Sequence, residues 1–326
     1  MTKIDLITGI LGAGKTTFLL RYARYLLGKG ERIAIIVNDF GAVNVDMLLL
    51  QELKCDNCQI EMICGCGDPN AHRRRYKTQL IALGMQHLDR VLIEPSGIFD
   101  MDEFFDTLCE SPLDRWFEIG SVLAIIDAEM DEQLPDEMEF LLGSEAACAG
   151  RLILSKLPPA ADEPAEQLSG RILGHLNRAL AYIRSDRRFS ERDLFIKPWE
   201  SLDAADFAAL EHAGCRSASY VKLFSTQTIR SSVHYFMHLR FPEDAIAPVI
   251  RAVMNDPACG RVYRIKGSLP SDDGGWRKIN AMPERIEISS VPNGQAVLIV
   301  IGSDLDRERL DAHFKAANLD PDYVSV

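Results

Sequence analysis

The stretch Gly9-Ile-Leu-Gly12-Ala13-Gly14-Lys15-Thr16-Thr17 satisfies the spacing G-x-x-x-x-G-K-[ST]. Glycines so placed let the backbone curl until its N–H groups face an anion, and a helix beginning near Gly14 adds favourable potential for that anion. Lys15 is expected to reach the β- and γ-phosphates of a nucleotide, and Thr16 to offer its hydroxyl to Mg²⁺. Gly9, Gly12, Ala13, Gly14, Lys15, Thr16 and Thr17 are therefore the expected nucleotide-binding set, with Lys15 as the catalytic cation. A second segment, Leu92-Ile93-Glu94-Pro95-Ser96-Gly97, carries an acid at the end of an apolar run. Glu94 at a strand end is suited to order Mg²⁺, directly or through water, or to orient an attacking water. Gly97 lets the following loop pivot when a γ-phosphate is present.

Cysteine offers a different chemistry. Of eight cysteines, Cys55, Cys58, Cys64 and Cys66 lie within twelve residues, while Cys109, Cys148, Cys215 and Cys259 are scattered. C-x₂-C spacing brings two sulfurs to one ion from a tight turn, and four thiolates satisfy a tetrahedral Zn²⁺. The C-x-C pair also suits softer or transferable metals. All four are expected ligands of one transition metal, with reduced free thiols or a redox switch as the alternatives. The scattered four read as core thiols. His72-Arg-Arg-Arg-Tyr-Lys77 reads as a solvated helix start, or as cations that acidify the nearby thiols or meet a partner's nucleotide. His234 and His238, four residues apart, would share a face of a helix and could hold an ion, although their aromatic neighbours favour packing.

These residues need elements to hold them. The chain has 326 residues, with 36 Lys+Arg against 48 Asp+Glu, a formal charge of −12 and 47% hydrophobic residues. That length suggests two domains. The acidic balance argues against nucleic acid as a partner, and no apolar run approaches the roughly 20 residues of a membrane span. The N-terminus lacks the apolar segment of a secretory leader, so a cytoplasmic location is expected.

Short apolar runs at Lys3–Thr8, Arg32–Asn38, Arg90–Glu94, Ser121–Asp127, Arg151–Ser155 and Asp193–Ile196 alternate with helical patterns at Gly14–Leu27, His72–Leu83, Met101–Cys109, Asp136–Cys148 and Ala165–Ile183. Continuous apolar strands joined by helices predict a doubly wound α/β domain with a mostly parallel sheet over residues 1–200. An Ala- and acid-rich stretch, 201–214, reads as a helix plus linker. Strand-like runs at Ser219–Phe224, Arg261–Ile265, Trp276–Ile279, Arg285–Ser289 and Ala296–Ile301, with helices at Pro242–Asn255 and Asp304–Ala316, predict a smaller α+β domain over 215–326.

The phosphate loop, Val37-Asn38-Asp39-Phe40-Gly41 after the second strand, and Ile93-Glu94-x-x-Gly97 together resemble the CobW-type GTPases, relatives of the hydrogenase and urease nickel chaperones. These carry Glu where most GTPases have the Asp of D-x-x-G. The resemblance covers residues 1–200 by motif and 215–326 by size and pattern. It implies slow, regulatory GTP hydrolysis coupled to delivery of a transition metal, or a metal cofactor, to a client metalloprotein, with a homodimer as a further option. It makes GTP or GDP, Mg²⁺ and Zn²⁺ or another transition metal the expected ligands, and Asp39 a metal or switch ligand.

Three departures stand out. Asp39 replaces the family's Glu. The guanine-reading Asn-Lys-x-Asp appears as Ser155-Lys156-Leu157-Pro158, so Ser155 and Lys156 are left to hold the base, Asp162 alone could replace the missing acid, and ATP stays admissible. The family's C-x-C-C appears as Cys64-Gly65-Cys66-Gly67. A P-loop kinase or other ATP-dependent enzyme acting on a small molecule, and a non-catalytic metal-storage scaffold, are the rival readings.

Overall fold

The computed structural model describes residues 1–10, 12–39, 50–64, 69–95, 101–130, 134, 136–159, 163–224, 233–283, 285–291, 294 and 296–325. Two compact units divide them, one ending at 224 and one beginning at 233.

The first unit is built on a seven-stranded sheet in the order β3-β2-β4-β1-β5-β6-β7. Its strands are β1 (Thr2–Thr8), β2 (Ile33–Asp39), β3 (Cys58–Cys64), β4 (Arg90–Glu94), β5 (Phe117–Asp127), β6 (Arg151–Ser155) and β7 (Leu194–Phe195), all paired in parallel. The expected doubly wound parallel sheet is therefore present. Ile33–Ile36, Val91–Ile93 and Leu152–Leu154 are buried, as strands covered on both faces require. The helices of eight or more residues are α1 (Lys15–Gly28), α2 (Pro69–Gly84), α3 (Met101–Leu108), α4 (Asp136–Ala147), α5 (Ala165–Tyr182) and α6 (Ala204–Glu211). In α1, Phe18, Leu19, Tyr22, Ala23 and Leu26 are buried, at the three- and four-residue spacing that puts them on one face.

Within Ser201–Gly214, read as a helix plus linker, the helix is present as α6. Asp203 caps α6 by accepting from Ala205 N and Asp206 N, and Glu211 at its end meets buried Arg90 at 2.8 Å. Ser219–Phe224 is not a strand of the second unit: Arg216 N donates to Cys148 O at 3.1 Å and Val221 N to Ile183 O at 2.8 Å. This segment follows the first unit because its backbone partners lie there. The predicted boundary near 215 moves beyond 224.

Under the sheet lies a buried ionic group. Arg90 Nη1 meets Asp5 Oδ2 at 2.6 Å, Tyr22 OH donates to the same oxygen at 2.7 Å, and Ser121 N donates to Asp5 Oδ1 at 2.7 Å. It joins β1, β4, α1, β5 and α6.

The second unit holds a six-stranded sheet, β11-β10-β9-β12-β8-β13. It comprises β8 (Val233–Met237), β9 (Arg261–Pro270), β10 (Trp276–Met282), β11 (Arg285–Val291), β12 (Val297–Ser303) and β13 (Val324–Ser325), each pairing antiparallel. Helices α7 (Ile246–Asn255) and α8 (Arg307–Ala317) supply Ile250, Val253, Leu310 and Phe314 to its core beside Phe236, Ile265 and Leu298. The expected α+β class is present. Among the described residues no helix is long and apolar enough to cross a membrane.

Candidate functional site

A parallel sheet gathers every strand's carboxyl end at one edge, and ligands of doubly wound folds bind there. Thr8, Asp39, Cys64, Glu94, Asp127 and Ser155 are the last residues of β1, β2, β3, β4, β5 and β6. The chain leaves β1 into the glycine loop, where Gly9 has φ +135° and Gly14 has φ +101°. A Cβ on Gly9 would stand 2.4 Å from Ile125 O, so that position admits no side chain. Gly14 immediately precedes α1, so the first N–H groups of the helix open onto the loop.

Lys15 and Thr16 are nearly buried, at 7% and 9% exposure. Lys15 Nζ donates to Gly9 O at 2.6 Å and Ile10 O at 3.4 Å, which holds the cation over the loop. Thr16 Oγ1 donates to Glu94 Oε1 at 2.7 Å. The loop hydroxyl and the strand-end acid, seventy-eight residues apart in sequence, thus form one pair. A hydroxyl and a carboxylate are donors of the kind a hard cation takes.

At the position expected to read the base, Ser155 is buried and its hydroxyl donates to Ile126 O at 3.2 Å. Lys156 adopts φ +50° and its Nζ pairs with Asp127 Oδ2. Gly97, Cys66 and Asp162 lie outside the described residues, as do the side chains of Asp39 and Cys64.

Cys58 and Cys64 do not converge on one ion. Cys58 opens β3 and Cys64 closes it, six strand steps or about 20 Å apart, whereas sulfurs sharing a Zn²⁺ each lie about 2.3 Å from it. Cys55 and Cys58 instead close a tight turn through Asp56-Asn57 at the opposite edge of the sheet, with Cys58 N donating to Cys55 O at 3.0 Å. Burial, and then the neighbouring Cys55, push the Cys58 thiol up to about 11. The expectation of one site for all four thiolates fails between Cys58 and Cys64, because C-x₂-C-x₅-C reads as a loop in sequence and the intervening residues are an edge strand. Cys64 keeps its place at the carboxyl edge, in register with Asp39 on β2.

The histidine pair also separates. Val233–Met237 is a strand, and His238 turns out of it at φ +55°. In the basic run, Arg73 and Lys77 both pair with Glu110, and Tyr76 is buried. Two of its cations therefore serve a local ion pair.

Residues 3–183, more than half of the chain, match the model of the CobW/HypB/UreG nucleotide-binding domain. The chain belongs to the CobW/HypB/UreG family. The zinc chaperone YeiR of Escherichia coli is 32% identical over 130 residues, covering 40% of this chain and 39% of YeiR. The zinc chaperone YjiA of Escherichia coli is 31% identical over 192 residues, covering 55% of this chain and 56% of YjiA. The chain thus spans about half, or less, of the curated relatives it matches. A crystal structure of Zn(II)-bound YjiA GTPase from E. coli aligns over 98% of this chain and 99% of that one, at 19% identity and a TM-score of 0.41.

Two contributors to this CobW/HypB/UreG-family site were not singled out from sequence. Glu145, 1% exposed in α4, accepts from Gly9 N at 2.6 Å through Oε2, and its carbonyl accepts from Thr8 Oγ1 at 3.0 Å. It ties α4 to the first bend of the phosphate loop. A lone acid in Phe140-Leu-Leu-Gly-Ser-Glu-Ala-Ala-Cys148 was the available signal, since a charge amid apolar helix residues needs a partner. Trp199, the second, has its ring 5.6 Å from Phe18 and would lie 3.1 Å from a Cβ on Gly14. Its Nε1 donates to Leu154 O at 2.9 Å, which fixes a wall beside the loop.

Proposed function

We propose that this chain is a nucleotide-hydrolysing metallochaperone. It binds GTP in modest preference to ATP, hydrolyses it slowly as a regulatory step, and holds a transition metal through Cys64 and Cys66 for delivery to a client metalloprotein. The observation that carries the reading is the Thr16–Glu94 hydrogen bond of 2.7 Å beside Lys15, at the carboxyl edge of a parallel sheet. The family match supports it, as do zinc chaperones among the relatives.

In this reading the N–H groups of residues 12–16 and the Lys15 ammonium neutralise the β- and γ-phosphates. Mg²⁺, when bound, supplies further neutralisation of those oxygens. Thr16 and Glu94 hold its place: the carboxylate fixes the hydroxyl's orientation and stays available to orient water. Asp39 lies one strand from both Glu94 and Cys64, since β2 runs between β4 and β3. It is therefore the link through which the γ-phosphate would be sensed at the thiols. Delivery to a client, and dimerisation around the nucleotide, belong to the same proposal.

Product analysis tests it. With GTP, the wild-type chain should release free phosphate, and Lys15→Ala should lose at least about 100-fold of that turnover, the range for losing one preorganised electrostatic group. A phosphorylated small molecule in place of free phosphate would replace the reading with a kinase. Nucleotide bound without any turnover would replace it with a scaffold.

A further inference from the structure

The geometry points to a second metal site, wholly within the C-terminal unit, formed by Asp256, Cys259 and His313 and suited to a borderline divalent cation such as Zn²⁺ or Co²⁺. One ligand atom from each of the three lies within 4.8 Å of the others. It shares no residue with the phosphate loop or the Cys55–Cys66 segment, and does not depend on the function proposed above.

The local chain explains the convergence. Asp256 follows α7, and its Oδ1 accepts from Ala258 N at 2.9 Å, capping the turn Pro257–Cys259. Cys259 N donates to Asp256 O at 2.9 Å, which closes the turn and brings the i and i+3 side chains together. Gly260 then leaves at φ +85°, where a Cβ would stand 2.2 Å from Asp304 O. Asp306 N donates to Cys259 O at 3.1 Å and starts α8, which presents His313 back to the turn. His313 Nε2 lies 2.8 Å from Asp256 Oδ2. The frame is thus held by backbone contacts independent of any ion.

The chemistry of the three donors is mixed and complementary. A thiol, an imidazole and a carboxylate are the side chains from which zinc sites are assembled, at bond lengths of about 2.0–2.3 Å. Around such an ion the donor atoms stand about 3.3–3.8 Å apart, so the observed spread needs to close by about 1 Å. That closure falls to Asp256 and His313, whose side chains are only partly buried, with Asp256 Oδ2 exchanging its contacts with His313 and with Arg309 at 3.7 Å for the ion. Cys259 is fully buried and forms the floor, with the Asp256 and His313 side chains 21% and 29% exposed at the rim. Three protein ligands leave a fourth position for water or for a donor from another molecule, the open arrangement that permits exchange. Among the described residues this is the one group of three or more His, Cys, Asp or Glu side chains with such convergence.

The test uses the 326-residue chain carrying Cys64→Ser and Cys66→Ser, titrated with Co²⁺ alone and followed by thiolate-to-cobalt charge-transfer absorption. One equivalent with that absorption is expected. Adding Cys259→Ser should abolish the band. Adding His313→Gln, which keeps an N–H donor for Asp256, should weaken binding by more than about 100-fold, the upper end of what losing a mere outer partner costs. Circular dichroism checks that each variant is folded, and because His313 is partly exposed its replacement does not require repacking. No charge-transfer band in the background chain, or a band unchanged by both additions, would overturn the site. Nucleotide-dependent metal binding, measured separately in the Cys259→Ser chain with Cys64 and Cys66 intact, reports on the proposed metallochaperone role and not on this one.

Discussion

At the scale of single residues, the site is a set of short polar contacts whose removal should have separable effects. Thr16→Ala deletes only a hydroxyl, so it should raise the Mg²⁺ concentration needed for half-maximal turnover about tenfold while nucleotide still binds; an unchanged Mg²⁺ profile would remove Thr16 from the metal's surroundings. Glu145→Ala leaves Gly9 N–H buried without its acceptor, at a cost of about 1–3 kcal/mol. It should therefore lower both the melting temperature and nucleotide affinity, which calorimetric unfolding and titration would register together. Base selectivity is also decided here. A pocket that hydrogen-bonds guanine's amine through a carboxylate rejects other bases strongly, and Ser155-Lys156-Leu157-Pro158 offers none. Competition between GTP and ATP should accordingly show a modest preference; one above roughly a thousandfold would mean that another acid, Asp162 being the candidate, has taken the role.

Secondary-structure elements decide which of the cysteines act together. β3 carries Cys58 and Cys64 at opposite ends, so the two pairs should behave independently. Cys55→Ser should leave transition-metal affinity within about twofold of wild type, whereas Cys64→Ser with Cys66→Ser should abolish the tight site that responds to nucleotide. β3, β2, β4 and β1 are consecutive neighbours, so about 14 Å separates the strand bearing Cys64 from the one feeding the phosphate loop. A coupling of about 1–3 kcal/mol between metal and γ-phosphate is a usual magnitude across such a distance, and it is reciprocal. Metal affinity measured with GDP and with a non-hydrolysable GTP analogue checks this. Equal values would leave Cys64 and Cys66 as a structural pair with no switch.

Across the whole molecule, the buried Arg90 ties the sheet to α6, and it is there that the first unit's stability should concentrate. Arg90→Leu strands Asp5 and Glu211 without their cation, and breaking a buried pair in this way costs about 3–5 kcal/mol. The loss should appear in hydrogen exchange of β1, β4 and α6 and spare the second unit's sheet, which has its own core. Uniform loss of protection across both units would contradict that independence. The phosphate loop, Glu94 at a strand end and the α/β and α+β classes were all legible from sequence, because they follow from local spacing: glycines that permit positive φ, apolar runs that demand burial on both faces, and helices between them. What the sequence could not decide were the pairings that cross the sheet. Cys58–Cys64 has the weak alternation of an edge strand, so its cysteines read as one loop until hydrogen bonding to β2 stretched them apart. His234 and His238 suited a helix, and pairing with β12 made that segment a strand. Glu145 and Asp5 are charges in apolar runs, and the contacts that decide their place are distant in sequence: Gly9 lies 136 residues from Glu145, and Arg90 lies 85 residues from Asp5. Local propensity and periodicity are properties of neighbours along the chain, whereas a ligand set or a buried ion pair is a property of neighbours in space, which only the folded sheet brings together.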